Sequence, residues 1–468
     1  MEPLKTNIKD NKLEKVIKTK GYAVFVCILL ACGGLMFGYD NSVISGAIGY
    51  MTKYFSFNSA TEGWVVSSIT LGAVLGSIFG GTLSDRYGRK KILLLSAVFF
   101  TFASMGQGFS YSLIMLISSR ILAGIAVGIA NTVTPIYISE IAPAKIRGAL
   151  TASYQLVIVT GITLVFFANA FVSNSGTPLW NVTTGWRIML TLGAVPAVIF
   201  LIANLFVPES PRWLISKGKN EKALKILKTI RYSNEVSSEV QEINTALKEE
   251  KSLKGISISA IFKPGINKIV AIGCILAAMQ HLTGIDAIMY YAPEILKRAG
   301  LGTQAALYNT IIIGIVLFLF TIVAIATVDK LGRKKLLIIG TTIMAISLTV
   351  VGLLFQMSNP PVGLLLTFIL INIAGFSIGM GSVMWVVLGE IFPTRIRSLA
   401  MSLCMVCLWV SDYIVAQFFP IVMYQLGPSV AFYIFAFLAL VTILFTWKFI
   451  PETKGKTLEQ IEKELLRN

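Results

Sequence analysis

The sequence predicts an all-α membrane protein, with twelve transmembrane helices in two six-helix halves and both termini cytoplasmic. Three observations carry the prediction. Twelve apolar runs of about 20 residues, the length an α-helix needs to cross a roughly 30 Å hydrocarbon layer, recur along the chain. The chain has 468 residues, 55% hydrophobic and 13% charged, with a mean hydropathy of +0.76, far from the mixed composition of soluble domains. Lysine and arginine gather on one side of the runs, and short motifs recur between the two halves at offsets of 243 to 250 residues.

The runs lie at about 21–48, 63–83, 92–110, 112–136, 150–172, 187–207, 267–294, 306–328, 335–356, 362–388, 397–424 and 429–449. Residues 1–20 hold six Lys and three acids and no small-residue cleavage site, so the first run is read as a retained helix and not as a signal peptide. The net charge of +17 would suggest a nucleic-acid partner for a soluble chain. Here 35 of the 40 Lys and Arg fall in the N-terminal segment, every second loop and the C-terminus, which marks that side as cytoplasmic and makes the charge a topology signal. The expected location is therefore the plasma (inner) membrane, multi-pass, with no nucleic-acid partner. All five cysteines fall inside predicted helices, where a disulfide framework has no use, and Cys404 and Cys407 are read as packing residues despite their redox-like spacing.

The halves repeat. "SDRYGRKKILLL" from Ser84 matches "VDKLGRKKLLII" from Val328 at an offset of 244, and "EIAPAKIR" (140–147) matches "EIFPTRIR" (390–397) at 250. Pro208-Glu209 and Pro451-Glu452 follow the sixth and twelfth runs at an offset of 243. The expected organisation is a cytoplasmic tail (1–20), a six-helix bundle (21–207), a cytoplasmic linker with short helices (208–266), a second bundle (267–449) and a C-terminal tail (450–468). Paired six-helix repeats are an architecture of transporters that expose a midplane site alternately to each side.

The repeated loops compress a carboxylate, a turn-forming glycine and a cationic cluster into a few residues. Asp85, Arg89, Glu140 and Arg147 in one half, with Asp329, Arg333, Glu390 and Arg397 in the other, are read as a cytoplasmic latch. In that reading Glu140 pairs with Arg147 or Arg397 and Glu390 with either, favouring the outward-open state. Exposed single pairs contribute only about 0–1 kcal/mol, so a network is required.

An ionisable side chain inside a spanning helix costs about 2.5–3.5 kcal/mol on insertion scales and normally faces a cavity or partner. Asp40 in the first helix and Arg120 in the fourth both fall roughly 12–14 Å below the outer surface by helical rise, so they are candidate partners. An arginine beside the aspartate keeps it ionised, and protonation would release the arginine and loosen the helices, coupling a proton to helix motion. The alternative is a static buried ion pair.

Together "GGLMFGYDNSVISG", "DRYGRK", "SSRILAG" with "PIYISEIAPAKIRG", "VPESPRWL", "QHLTGIDAIMYYAP", "VDKLGRKK", "WVVLGEIFPTRIR" and "PETKGKTLEQIE" resemble the sugar porter family of the major facilitator superfamily. The resemblance covers nearly the whole chain and implies the major facilitator fold. It is nearest to the bacterial proton-coupled pentose and hexose symporters, because position 40 is Asp where the facilitative mammalian glucose carriers have Asn. It implies that Asp40 is the proton site with Arg120 its partner, and that Gln155, Gln280, Trp385 and Trp409 fall on sugar-contact positions. Carboxamides both donate to and accept from hydroxyls, and tryptophan covers the apolar face of a ring. Without the family, such residues read as helix glue or interface anchors. Tyr290 lies in the same helix-seven motif and is a further candidate.

The chain departs from the family where the motif usually has a second Gln and an Asn. His281 and Asp286 stand there, and Asp412 stands where Asn is common. Three readings compete: neutral replacements that still bond a sugar, a second titratable site, or a cavity tuned to a cationic solute such as an amino sugar. On an uninterrupted helix Gln280 and Asp286 would be about 120° apart, so joint contact requires a break, for which Gly284 is the candidate. Ser382 stands where Gly-Pro is usual in helix ten, leaving Gly379 and Gly381 to supply the bend.

The function expected is proton-coupled import of a monosaccharide or related polyol by alternating access. The expected partners are that solute, protons and the bilayer, with no obligate protein partner, cofactor or metal, and the proton gradient as driving force. No GxxxxGK[ST] phosphate loop occurs to suggest ATP. A facilitative uniporter and a carrier of a cationic sugar derivative are the near alternatives. A membrane sugar sensor is more remote, since only 19 residues follow the last run, and an enzyme is weaker still, with no nucleophile and base placed together. Asn181-Val-Thr183 is a glycosylation sequon in an outer loop, meaningful only in a eukaryote.

Overall fold

The computed structural model describes residues 21–143, 146–232, 235–252, 265–392, 396–456 and 460. The expected N-terminal tail, the end of the linker and most of the C-terminal tail fall outside them. Among the described residues are twelve helices long and apolar enough to span a bilayer, numbered 1 to 12 in chain order. They are Gly21–Phe55, Ser59–Tyr87, Arg89–Gly108, Leu113–Ile141, Arg147–Asn174, Pro178–Phe206, Ile266–Arg298, Thr303–Leu331, Arg333–Leu354, Val362–Ile391, Leu399–Gln425 and Pro428–Phe449. Several outrun their apolar stretch. Helix 1 continues through Tyr50, Thr52 and Lys53 to Phe55, and helix 6 starts at Pro178. Polar residues there prolong the hydrogen-bonded helix into the interface, so hydropathy alone underestimates its length. Large apolar side chains such as Phe102, Phe171, Phe437 and Leu444 point outward, as a lipid-facing surface requires.

The face carrying the helix 2–3 loop, the helix 8–9 loop and the linker is called the basic face, and the other the opposite face. At the opposite face the Asn58 side chain accepts from Thr61 N at 2.8 Å and Ser112 from Met115 N at 3.3 Å, starting helices 2 and 4. At the basic face Gly88 (φ 106°) and Gly332 (φ 90°) make the reversals into helices 3 and 9 in a backbone region closed to most side chains. The linker begins with helices Pro211–Ser216, Asn220–Ile230 and Val236–Ser252. Arg231 donates to the free carbonyls of Ile141 (2.8 Å) and Ala142 (3.1 Å) and pairs with Glu239, tying the linker to the end of helix 4.

Helices 2 and 4 are drawn together by glycine. A Cβ on Gly72 or Gly76 would meet a helix 4 carbonyl oxygen at 2.1–2.2 Å, and one on Gly124 or Gly128 a helix 2 carbonyl oxygen at 2.0–2.3 Å. With little hydrophobic drive between helices in lipid, such small-residue contacts let backbones approach and supply the packing energy.

The two halves meet along helices 1 with 7, 2 with 11 and 5 with 8. Near the opposite face Gln417 of helix 11 accepts from Ser67 Oγ (3.0 Å) and donates to Ala60 O (3.1 Å), while Gln304 donates to Ser173 O (3.0 Å). Deeper, Thr163 donates to Gly314 O (3.0 Å) and Trp409 Nε1 to Ser77 Oγ (3.1 Å). At the basic face, by contrast, Ile146 to Ala149 at the start of helix 5 are exposed. Among the described residues, the hydrogen bonds that join the halves run from the opposite face to mid-depth, and the start of helix 5 at the basic face is uncovered.

A Cβ on Gly63 would lie 2.2 Å from the Gln417 carbonyl oxygen, so closure requires glycine there. Overpacking costs about 1–3 kcal/mol, enough to shift an open–closed equilibrium roughly tenfold. Gly63→Leu is expected to raise labelling of a Ser67→Cys variant by an impermeant thiol reagent applied at the opposite face. Unchanged labelling would refute this account of closure.

Candidate functional site

Glycine packing also decides what Arg120 touches. One turn before Gly124, it faces the helix 2 backbone at close range. Its Nε donates to Val65 O (2.6 Å), Nη2 to Val66 O (3.0 Å) and Nη1 to Gln107 Oε1 (3.4 Å). Each carbonyl has a second lone pair to offer. Asp40 and Arg120 line one pocket between the halves, with Asn41, Tyr290 and Trp409 beside them. The expected direct ion pair is not formed: Asp40 is 3% exposed and its Oδ2 has no hydrogen-bond partner. Gln107 stands between, within hydrogen-bonding reach of Asp40 while accepting from Arg120. The arginine supplies charge, but its recorded bonds go to two helix 2 carbonyls and to Gln107 and not to Asp40.

Helix 7 breaks where the sequence placed the break. Its first segment ends at Leu282, Gly284 takes φ 88°, and the second runs Ile285–Arg298. On either side of the break Gln280 and Asp286 meet different protein partners. Gln280 Nε2 donates to Met380 O of helix 10 (3.0 Å), leaving its Oε1 unpartnered, while Asp286 bonds His281 Nδ1. Met380 is available because helix 10 contains a π-turn at Ser377–Gly381, so the irregularity expected from Gly379 and Gly381 arises without proline.

Tyr290 and Trp409 line the pocket beside Asp40; Trp409 meets Phe37 edge-to-face with centroids 5.8 Å apart. Asp412 is buried, with its oxygens 3.1 and 3.2 Å from the Tyr290 hydroxyl. Gln155 and Trp385 are half-buried and stand outside the pocket lining. Asn41, Gln107 and Phe37 belong to the site, although the sequence reading did not single them out. Asn41 follows Asp40 directly, a signal that was present. Asn181 is buried and donates to Ser173 O (2.8 Å), so its sequon presents no free amide.

The basic-face residues form two matching clusters, each within one half. Arg89 pairs with Asp85 (2.7 Å) and Glu140 (3.1 Å), and Arg333 with Asp329 (2.9 Å) and Glu390 (3.1 Å). The expected Glu140–Arg147 and Glu390–Arg397 pairs are not formed. Arg147 is exposed, and Arg397 turns back to Phe392 O (3.2 Å), while Arg89 and Arg333, at the starts of helices 3 and 9, hold the glutamates. Glu209 and Glu452, visible in the sequence only as a repeated Pro-Glu, cap the starts of helices 3 and 9. Glu209 Oε1 accepts from Arg89 N (3.1 Å) and Lys90 N (3.3 Å), and Glu452 Oε1 from Arg333 N (2.9 Å). Burial pushes the Glu452 carboxyl up, but backbone N–H groups of Lys454, Arg333, Lys334 and Thr453 outweigh it and hold it below the usual glutamate value. Its cap is thus fully present above the unfolded glutamate value of about 4.3 and is lost as pH falls through the lower folded value.

The profile of the family described as "Sugar (and other) transporter" matches residues 26–465. The chain belongs to that family. It is 40% identical over 449 residues to the arabinose-proton symporter of Bacillus subtilis, covering 95% of this chain and 96% of that one. To the D-xylose-proton symporter of Escherichia coli it is 36% identical, covering 94% and 95%. A partially occluded inward-open structure of the xylose transporter XylE of E. coli superposes with a TM-score of 0.84 at 34% identity, over 93% of this chain and 100% of that chain. The fold is that of the major facilitator superfamily, and the family consists of multi-pass membrane transporters, not enzymes.

Glu140 is 6% exposed and Asp85 69%, so the two partners of Arg89 differ in consequence. Stranding a buried charge costs about 3–5 kcal/mol, whereas losing an exposed one costs about 0–1 kcal/mol. Arg89→Ala is expected to lower the thermal midpoint of the detergent-solubilised protein clearly, and Asp85→Ala barely. Equal losses would overturn this ordering.

Proposed function

We propose that this chain imports a monosaccharide or related polyol together with a proton, using Asp40 as the carrier of that proton. One observation carries the reading: a carboxylate oxygen without a donor, buried in the pocket where the halves meet and close to a guanidinium committed elsewhere. Burying such a group is costly, and a bound proton removes the charge. The names of its relatives support the class of solute, among them the arabinose-proton symporter and the major myo-inositol transporter of B. subtilis.

In this reading the basic face is cytoplasmic and both termini lie there, because the Lys and Arg gather on that side. Closure at the opposite face and the uncovered start of helix 5 at the basic face then support a state open toward the cytoplasm. Trp409 and Phe37 offer the pocket an apolar wall, and Asn41 and Tyr290 offer hydroxyl-matching groups. The Asp85–Arg89–Glu140 and Asp329–Arg333–Glu390 clusters hold the cytoplasmic ends of each half as units, so that the halves rock as bodies.

The test is uptake into proteoliposomes under an imposed pH difference, with labelled arabinose, xylose, glucose and myo-inositol. The native chain is expected to accumulate at least one of them and to carry protons with it. Asp40→Asn should lose accumulation while still equilibrating the solute, since it removes the proton site and keeps the shape. Accumulation by that variant refutes Asp40 as the coupling group, and uptake of none of the solutes refutes the class.

A further inference from the structure

Three titratable side chains beyond the Asp40 pocket gather in the second half. His281 and Asp286 flank the Gly284 break, which folds them onto each other so that Nδ1 of one bonds Oδ2 of the other. Asp412 of helix 11 completes the group, with one ligating atom from each residue within 4.8 Å of the others. The His281 and Asp286 side chains are 14% and 7% exposed, and Asp412 is 1% exposed.

Such a group holds protons by necessity. Two ionised aspartates beside a neutral histidine would bury two uncompensated negative charges, each costing several kcal/mol. One proton makes the histidine a cation and leaves one negative charge; a second neutralises the group. The protons belong to the cluster and not to any one residue. Both carboxylates are turned to partners within the protein, His281 and Tyr290, and neither lines the pocket, which argues against an ammonium-bearing solute as their ligand.

Tyr290 gives the second proton a consequence. Its hydroxyl has one hydrogen and two acceptor neighbours: Asn41 Oδ1 at 2.7 Å on helix 1, and the Asp412 carboxyl at 3.1 and 3.2 Å on helix 11. It donates to one at a time. With the amide oxygen of Asn41 facing it, both contacts are satisfied together only when Asp412 carries a proton. Asp412 then donates to Tyr290 Oη, and Tyr290 donates to Asn41. When Asp412 is ionised the tyrosine hydrogen turns to the carboxylate, and the bond to Asn41, which joins the two halves, is lost.

We propose that His281, Asp286 and Asp412 form a second proton-binding site whose occupancy switches the Tyr290 hydroxyl between Asn41 and Asp412, making or breaking a hydrogen bond between the halves. The proposal deepens the proton-coupled reading of Asp40 and rests on it, since Asn41 is the next residue in the chain. The charged and titratable groups facing Asp412 are His281, Asp286, Tyr290 and Tyr291 of helix 7, with Arg120 of helix 4 and Asp40 of helix 1 across the pocket and Glu62 of helix 2 behind Tyr291.

Infrared titration of the purified full chain in lipid, read in the protonated-carboxyl stretch, tests it without a transport assay. Two titrating components are expected, one removed by Asp40→Asn and the other by Asp412→Asn and returned by Asp412→Glu. His281→Gln is expected to move the midpoint of the second component by about one pH unit, because a charge partner is removed. Tyr290→Phe, on a chain that keeps all three titratable groups, should move it too and serves if Asp412→Asn does not fold. No titrating component lost with Asp412, or one insensitive to both His281→Gln and Tyr290→Phe, overturns the proposal. If that happens while Asp40→Asn still abolishes accumulation, the second site fails and proton coupling at Asp40 stands. A titrating Asp412 in a chain whose Asp40→Asn variant still accumulates solute gives the reverse outcome.

Discussion

Close approach of backbones in lipid is the constraint on which the rest of this molecule depends. Where helices 2 and 4 meet through Gly72, Gly76, Gly124 and Gly128, side chains are replaced by carbonyl oxygens, and Arg120 finds its partners among them. Asp40 is therefore left near a cation that does not bond it directly. Had larger residues held the helices apart, the guanidinium would have been free to cross to the carboxylate and neutralise it. The same small-residue logic closes the two halves at Gly63 against Gln417. Packing and electrostatics are here one problem, because in a membrane interior an unpaired charge has no water to fall back on.

The basic face repeats one design twice. In each half a glycine turn, an arginine shared between two acids and a glutamate capping the next helix lock three helix ends into a unit. The capping glutamate accepts from backbone N–H groups at a helix start, where the macrodipole also favours negative charge. These interactions lie within each half, so they stiffen a bundle without fastening it to the other. That division suits a machine whose halves move as bodies.

Much of this was legible in the residues. Twelve spans, the helix 7 break and the irregular helix 10 followed from length, hydropathy and single glycines, because those features are local. Internal repetition located both basic-face clusters. What the sequence misplaced were side-chain partners. Arg120 bonds backbone carbonyls, which a sequence does not display, and Glu140 and Glu390 pair with Arg89 and Arg333, 51 and 57 residues away, and not with the nearer-in-sequence Arg147 and Arg397. Gln280 spends its amide on Met380, whose position depends on a π-turn in another helix. Partner choice is decided by tertiary distance, and distance is the quantity that spacing along one chain does not give.

The single left-handed residue at Gly284 divides helix 7 into segments that answer to different neighbours. Below it Gln280 is fastened to helix 10; above it Tyr290 reaches across to helix 1. A straight rod would transmit any tilt of its upper end to its lower end undiminished. A rod broken at one residue gives its two parts separate directions, so one can face helix 1 while the other packs on helix 10, and the His281–Asp286 bond laid across the break makes the angle between them answer to that pair.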